Sequence, residues 1–142
     1  MSQVYVDTSF LISIYVTDRH SSTARQRILT APPPLLTPLH EAEWAHALAQ
    51  LVFRQQLSVA EAKIFDRQLQ SDKADGVWQV GNLTENTFET CADLGRRYGA
   101  RLGVRTLDSL HVACALESKA MEFWTFDDRQ TKLAKVTGLR TA

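Results

Sequence analysis

Apolar positions in this chain fall into short solid runs separated by longer stripes with helical spacing. Val4-Tyr5-Val6 is compact and β-branched, which predicts a buried strand over residues 3–7. Asp7-Thr8-Ser9 then offers side-chain caps to a helix starting near Phe10, and Ser21 or Ser22 caps a second short helix ending near Thr30. Pro32-Pro33-Pro34 predicts a stiff connector, because proline neither continues a helix nor donates to a central ladder. Leu35-Leu36-Thr37 reads as a second strand, and Pro38 suits the first position of a helix reaching about Gln56. Ser58 and Glu61 have the spacing of a capping box, opening a helix to about Ser71. Residues 77–80 form a third short strand. A helix runs from about Glu85 to Tyr98 and stops where Gly99 supplies a left-handed residue. Thr106 caps a helix through Ser118 whose Leu110, Val112, Ala113, Cys114, Ala115 and Leu116 are apolar nearly all round, so it is central and buried. Phe123-Trp124-Thr125 is a fourth strand, residues 128–135 a helix, and Leu139 onward a last edge strand.

Strands that alternate with helices imply a parallel sheet covered on both faces. At 142 residues the chain makes one domain, spanning 1–142. Open α/β sheets take their ligands at the carboxyl ends of the strands. That rule directs attention to Asp7, which closes the first strand, and to Asp127, two residues past Thr125.

Composition narrows the chemistry. An apolar fraction of 44% and a charged fraction of 23% are those of a soluble globular protein. The formal net charge of zero excludes a strongly basic nucleic-acid coat, though not a nuclease that relies on a local patch and on metals. Cys91 and Cys114 lie in helical patterns without a C-x-x-C motif and read as buried, reduced thiols. No basic segment leads into a long apolar one at the N-terminus, and no apolar run reaches the ~18 residues of a membrane span. The expected location is cytoplasmic, with no membrane partner.

Four acids stand out by placement: Asp7, Glu43, Asp108 and Asp127. Each has a bland alternative. Asp7 could cap the first helix, although Thr8 or Ser9 could do so equally well. Glu43, in the second turn of its helix, could be a solvated surface acid, and Glu41 is a rival pointing in a different direction. His46 shares the face of Glu43 and could meet a substrate or simply be exposed. Asp108 lies in the first turn after Thr106, where an acid complements the helix dipole; His111 is one turn on, on the same face. Of Asp127 and Asp128, one could cap the last helix while the other points into a site; Asp127 is favoured as functional and Asp128 as structural. Oxygen ligands converging without thiols suit Mg²⁺ or Mn²⁺, which serve phosphoryl chemistry. A zinc site would need more His or Cys than stand nearby.

The segments Val4-Tyr-Val-Asp7-Thr-Ser, Leu36-Thr-Pro-Leu-His-Glu-Ala-Glu43-Trp-Ala-His-Ala-Leu48, Leu107-Asp108-Ser-Leu-His-Val-Ala-Cys-Ala-Leu116 and Trp124-Thr-Phe-Asp127-Asp-Arg-Gln130 together resemble the PIN-domain nucleases. Among these, the chain is most similar to the virulence-associated-protein-C (VapC) toxins of prokaryotic toxin–antitoxin pairs. The resemblance covers essentially the whole chain. It implies a single-domain, three-layer α/β/α PIN-like fold around a central parallel sheet, and a Mg²⁺- or Mn²⁺-dependent endoribonuclease. By matching position, Asp7, Glu43, Asp108 and Asp127 take the metal-site acids, and Thr8 or Ser9, with Thr125, take supporting hydroxyl positions. His46 departs from the pattern, since many relatives carry Asn there. The resemblance further implies an RNA substrate, a cognate antitoxin protein and a homodimer.

The expected reaction is in-line hydrolysis of an RNA phosphodiester. Asp7, Glu43 and Asp108 would hold one metal, and Asp127, with Asp7 or Asp108, would hold a second or position the attacking water. Without metal, crowded carboxylates should raise one another's pKa values. Arg105, at the end of a basic stretch with Arg96, Arg97 and Arg101, and Arg129 are candidate phosphate contacts, against the alternative of a solvated helix end. Trp44 reads as packing, or as part of a dimer or antitoxin surface, in preference to a base platform. Two rival functions are a phosphorylation-dependent receiver and a catalytically silent PIN-like domain that binds RNA or protein. A receiver needs a second acid beside the first-strand acid and a lysine after a late strand; here Asp7 stands alone, and no lysine follows Trp124-Thr125 before Lys132.

Overall fold

The computed structural model describes residues 3–141, so Met1, Ser2 and Ala142 of the expected domain lie outside the described residues. Along the chain the elements are β1 (Val4–Val6), α1 (Thr8–Tyr15), α2 (Ser21–Ile28), β2 (Leu35–Leu36), α3 (Pro38–Phe53), α4 (Val59–Ala74) and β3 (Gln79–Val80), followed by α5 (Glu85–Leu94), a π-helical turn (Gly95–Gly99), α6 (Ala100–Leu102), α7 (Thr106–Glu117), β4 (Glu122–Trp124), α8 (Asp128–Val136) and β5 (Arg140–Thr141).

Every strand pair is parallel. β1, β4 and β5 form one ladder with β4 in the middle, and Tyr5 faces Phe123, which in turn faces Thr141. β2 and β3 form a second ladder, Leu35 opposite Gln79 and Leu36 opposite Val80. The parallel sheet is therefore built as two hydrogen-bonded sets. At the seam between them, His40 Nε2 donates to the Val6 carbonyl (2.8 Å), while its Nδ1 accepts from the Thr37 N–H (3.1 Å). One imidazole thus satisfies both a β1 acceptor and a donor just past β2.

Strand side chains alternate between faces, and the two faces bury different cores. Val4, Val6 and Trp124 pack with Phe10, Leu11, Trp44 and Leu69 from α1, α3 and α4. Tyr5 and Phe123 point the other way, into Val112, Ala113, Ala115 and Leu133 from α7 and α8. Helices on both sides of a parallel sheet give the three-layer α/β/α arrangement. The apolar helix expected from 106 onward is the central one: Ser109 to Ala115 are all buried. Cys91 and Cys114 are free and buried, as their helical context predicts. Trp44 is packing and not surface, at 1% exposure, with its Nε1 donating to Asp66 Oδ1 (3.0 Å).

Most local signals hold, including Pro38 at the start of α3 and the reciprocal Ser58–Glu61 box on α4. Other details differ. Thr106 does not cap α7: it is the first helical residue, and Arg105 is the N-cap. Neither Ser21 nor Ser22 caps α2: His20 is the N-cap residue, and Ser21 begins the helix with its hydroxyl accepting from the Asp18 N–H (2.8 Å). Gly99 does not end its helix. It keeps helical angles, the π turn carries the chain through it, and Gly103 takes the left-handed conformation instead (φ 68°). A glycine can stop a helix but need not, and here the terminating turn falls at the second one. β3 and α3 are also shorter than expected, at Gln79–Val80 and Pro38–Phe53.

Candidate active site

Asp7 sits where β1 ends, fixed to the end of β4 by its N–H bonding to the Trp124 carbonyl (3.2 Å). Its side chain is the cap of α1. Oδ1 accepts from the Phe10 N–H (3.0 Å), and the Ser9 hydroxyl lies 2.8 Å from both carboxylate oxygens. Thr8 and Ser9 are therefore not the caps. Thr8 becomes the first helical residue, and its hydroxyl is left to donate to Glu43 Oε1 across the cleft (2.6 Å).

Glu43 reaches the same place from α3. His111, from the buried α7, meets it: Nε2 lies 2.5 Å from Glu43 Oε1, and Nδ1 lies 2.8 Å from the Tyr5 hydroxyl. The ring thus bridges Tyr5 and Glu43, a buried line of contacts from the sheet to the carboxylate. Asp108, in the first turn of α7, accepts from the Arg105 N–H through Oδ2 (3.2 Å). Asp127 caps α8, accepting from the Gln130 N–H through Oδ1 (2.9 Å). The cap is thus Asp127 itself, and Asp128 is an exposed first-turn residue.

These elements enclose a cleft of about 290 Å³ lined by Asp7, Thr8, Ser9, Glu43, Asp108 and Asp127, with Ile12, Ala47, Leu107, His111 and Gln130. All four acids meet there. Thr125 stands behind it: its hydroxyl accepts from the Asp127 N–H (3.0 Å) and donates to Gln130 Oε1 (2.8 Å), holding the Asp127 turn in shape. Arg105 and Arg129 are exposed and outside the lining. Glu41 pairs with Lys73 of α4 and is not part of the cleft lining. His46 is exposed and spends its Nδ1–H on the Ala42 carbonyl of its own helix (2.8 Å). The polar lining residues that the sequence did not mark are Gln130 and, in its contact with Glu43, His111. Each lies three residues after a candidate acid, one helical turn away, and that spacing was the available signal.

Burial dominates the charge on Asp7, which is 4% exposed: loss of water raises its pKa, against the opposite pull of His111, the Phe10 amide and Ser9. Burial also pushes Glu43 upward. There the hydrogen bond and charge of His111, with the Thr8 hydroxyl, outweigh it and hold Glu43 below the usual range. The expectation that the carboxylates raise one another is therefore replaced by a split: Asp7 up through desolvation, Glu43 down through its partners.

The donor set is all oxygen, and Asp7 has no Lys or Arg ion pair among the described residues, which fits a hard divalent cation in kind. As arranged, no group of three His, Cys, Asp or Glu side chains among the described residues could hold an ion. Glu43 and Asp108 are turned to their protein partners instead.

The PIN-domain family model matches residues 4–136. The chain is similar in structure to Mycobacterium tuberculosis VapC20, described as a sarcin-ricin loop cleaving toxin, at 16% identity and a TM-score of 0.68 over 92% of this chain and 94% of that one. It is similar to FitAcB from Neisseria gonorrhoeae, at 14% identity and a TM-score of 0.73 over 98% and 96%. A toxin–antitoxin complex from Klebsiella pneumoniae gives 17% identity and a TM-score of 0.63 over 97% and 95%. No curated protein sequence matches.

Proposed function

From the premise that this chain belongs to the PIN-domain family, we propose that it is a metal-dependent endoribonuclease, the toxin of a type II toxin–antitoxin pair. The observation that carries the reading is the convergence of Asp7, Glu43, Asp108 and Asp127 on one cleft at the carboxyl ends of β1 and β4. The supporting likenesses are to a toxin that cleaves the sarcin-ricin loop and to a toxin–antitoxin complex. A cytoplasmic location, a homodimer and a protein antitoxin belong to the same proposal. No helix among the described residues is long and apolar enough to cross a membrane.

In this reading Asp7, Glu43 and Asp108 would hold Mg²⁺ or Mn²⁺ once Glu43 and Asp108 turn from their protein partners, and Asp127 would hold a second ion or orient the attacking water. When bound, such an ion would lower the pKa of a water and offset charge on the phosphate. Ser9 and the Phe10 amide fix both oxygens of Asp7, so the carboxylate enters the site already oriented. His111, backed by Tyr5, keeps Glu43 ionised and aimed across the cleft. Thr125 and Gln130 hold the turn that presents Asp127. Arg105, three residues before Asp108, and Arg129, two after Asp127, are exposed and would contact RNA phosphates.

The test is cleavage of a panel of structured and single-stranded RNAs with Mg²⁺, Mn²⁺ or EDTA, run beside Asp7→Asn and Asp108→Asn. Cleavage that requires metal and disappears in both variants supports the nuclease. Folded, antitoxin-free protein that binds RNA but cuts none would favour the catalytically silent alternative.

A further inference from the structure

Beside the acid cleft lies a second cavity of about 340 Å³ that shares Ser9, Ile12 and Asp127 with it and adds Asp18, His20 and Phe126. The two adjoin at the shared residues. The outer wall is aromatic and supported from the core. His20 stacks on Phe126 (centroids 4.1 Å apart, planes 7°), and Phe126 stacks in turn on Phe10 (5.1 Å, 11°). Phe10 is 1% exposed and leans on Trp124 (5.6 Å, 40°), the last residue of β4. This column rises from the sheet to the surface and ends at the half-buried His20. Polar groups frame that end. Arg19 Nε donates to His20 Nε2 (3.2 Å), placing a guanidinium beside the ring. The Asp18 carboxylate is held by the Ser13 hydroxyl (2.7 Å) and the His20 N–H (2.8 Å), and a carboxylate fixed by two donors retains lone pairs for others.

A flat ring ending a rigid stack, a cation for phosphate and an oriented acceptor are the elements of single-nucleotide recognition. Stacking on aromatic faces is the usual way an unpaired base is held, and an acidic side chain can accept from an exocyclic amino group. We propose that His20, on its Phe126–Phe10 support, is the stacking platform for the RNA base next to the scissile phosphate. In this subsite Asp18 accepts from that base's amino group, and Arg19 meets the flanking phosphate. The proposal rests on the nuclease reading above and adds to it a source of base preference. The strand leaving the acid cleft past Asp127 would enter this cavity directly.

The test uses the RNA that the wild-type protein cuts, with each nucleotide flanking the cut replaced in turn by an abasic one. Stacking on an aromatic side chain is lost at one position, so kcat/KM should fall about 5- to 150-fold there in the wild type. In His20→Ala the same replacement should cost less than about threefold, because the base no longer has its platform; His20→Phe should restore the sensitivity. A structural role for His20 would lower cleavage of intact and abasic RNA alike and leave the ratio unchanged. Equal abasic sensitivity in wild type and His20→Ala at every position overturns the subsite while the nuclease stands. Failure of the wild type to cut any RNA removes the nuclease reading, and the subsite with it.

Discussion

Lowering the pH should loosen the seam between the two strand ladders before it affects the rest of the molecule. His40 is fully buried and donates from Nε2 to the Val6 carbonyl while accepting at Nδ1 from the Thr37 amide. Protonation would set a second N–H against the Thr37 amide, at a fully buried position where only the Thr37 hydroxyl (2.8 Å) is at hand to accept it. Burial, reinforced by the nearby His111, accordingly pulls its pKa down to about 3, against the opposing Val6 hydrogen bond and Glu43. The folded state thus binds this proton less readily than the unfolded chain, whose value is near 6.5. With a depressed folded pKa, His40's contribution is fully present above the unfolded value. It is lost as pH falls from about 6.5 toward 3, at up to about 1.4 kcal/mol per pH unit. Between pH 7.5 and 5.0 the loss works out at about 2 kcal/mol. Urea unfolding at the two pH values, on wild type and His40→Gln, measures it. The wild type should lose about 2 kcal/mol more than the variant, which keeps a donor for Val6 but has nothing to protonate. Equal pH dependence in the two proteins would refute the assignment of His40 as a neutral bridge.

The carboxylate end of the site makes further predictions. Asp7→Asn should abolish cleavage yet stabilise the metal-free protein by about 0.5–2 kcal/mol, a rise of about 2–6 °C in Tm, because it removes a buried charge while keeping an oxygen for the Phe10 amide. Asp7→Ala, which also removes the cap, should not be stabilising by calorimetry. Tyr5→Phe strips the partner from His111 Nδ1 and should cost about 1–3 kcal/mol by urea unfolding; no change would mean that the Tyr5–His111–Glu43 line is not a working contact. Gly103→Ala should destabilise by about 1–2 kcal/mol, since φ there is 68°. Gly99→Ala, at helical φ with open space for a methyl, should stabilise by about 0.5–1 kcal/mol. Thermal melts that rank these two glycine variants the other way would place the helix end where the sequence pattern put it.

Local rules made much of this chain readable. Pro38, the Ser58–Glu61 box and the apolar helix around Val112 are decided by residues within a turn or two of one another, so the sequence expresses them directly. The four acids that line the cleft are legible because strand ends and helix starts can be located, and the open-sheet rule places both near a ligand site. What stayed hidden depends on distance in the chain. Nothing near His40 says that its ring will bond a carbonyl 34 residues earlier, and nothing near His111 announces contacts with Tyr5 and Glu43. Glu41 and Glu43 look alike on paper; the packing of α4 takes one to Lys73 and leaves the other facing the cleft. The exchange of Gly99 for Gly103 is a case where two glycines could each end the helix, and only the tertiary path selects between them.

The central claim is that Asp7, Glu43, Asp108 and Asp127 form one divalent-metal site. Anomalous diffraction from crystals soaked in Mn²⁺ tests it most directly. The account predicts a manganese peak in the cleft between Asp7 and Asp127, with Glu43 or Asp108 turned toward it, and its loss in Asp7→Asn crystals. Manganese bound only elsewhere, or a cleft that stays empty at concentrations supporting cleavage, would contradict it.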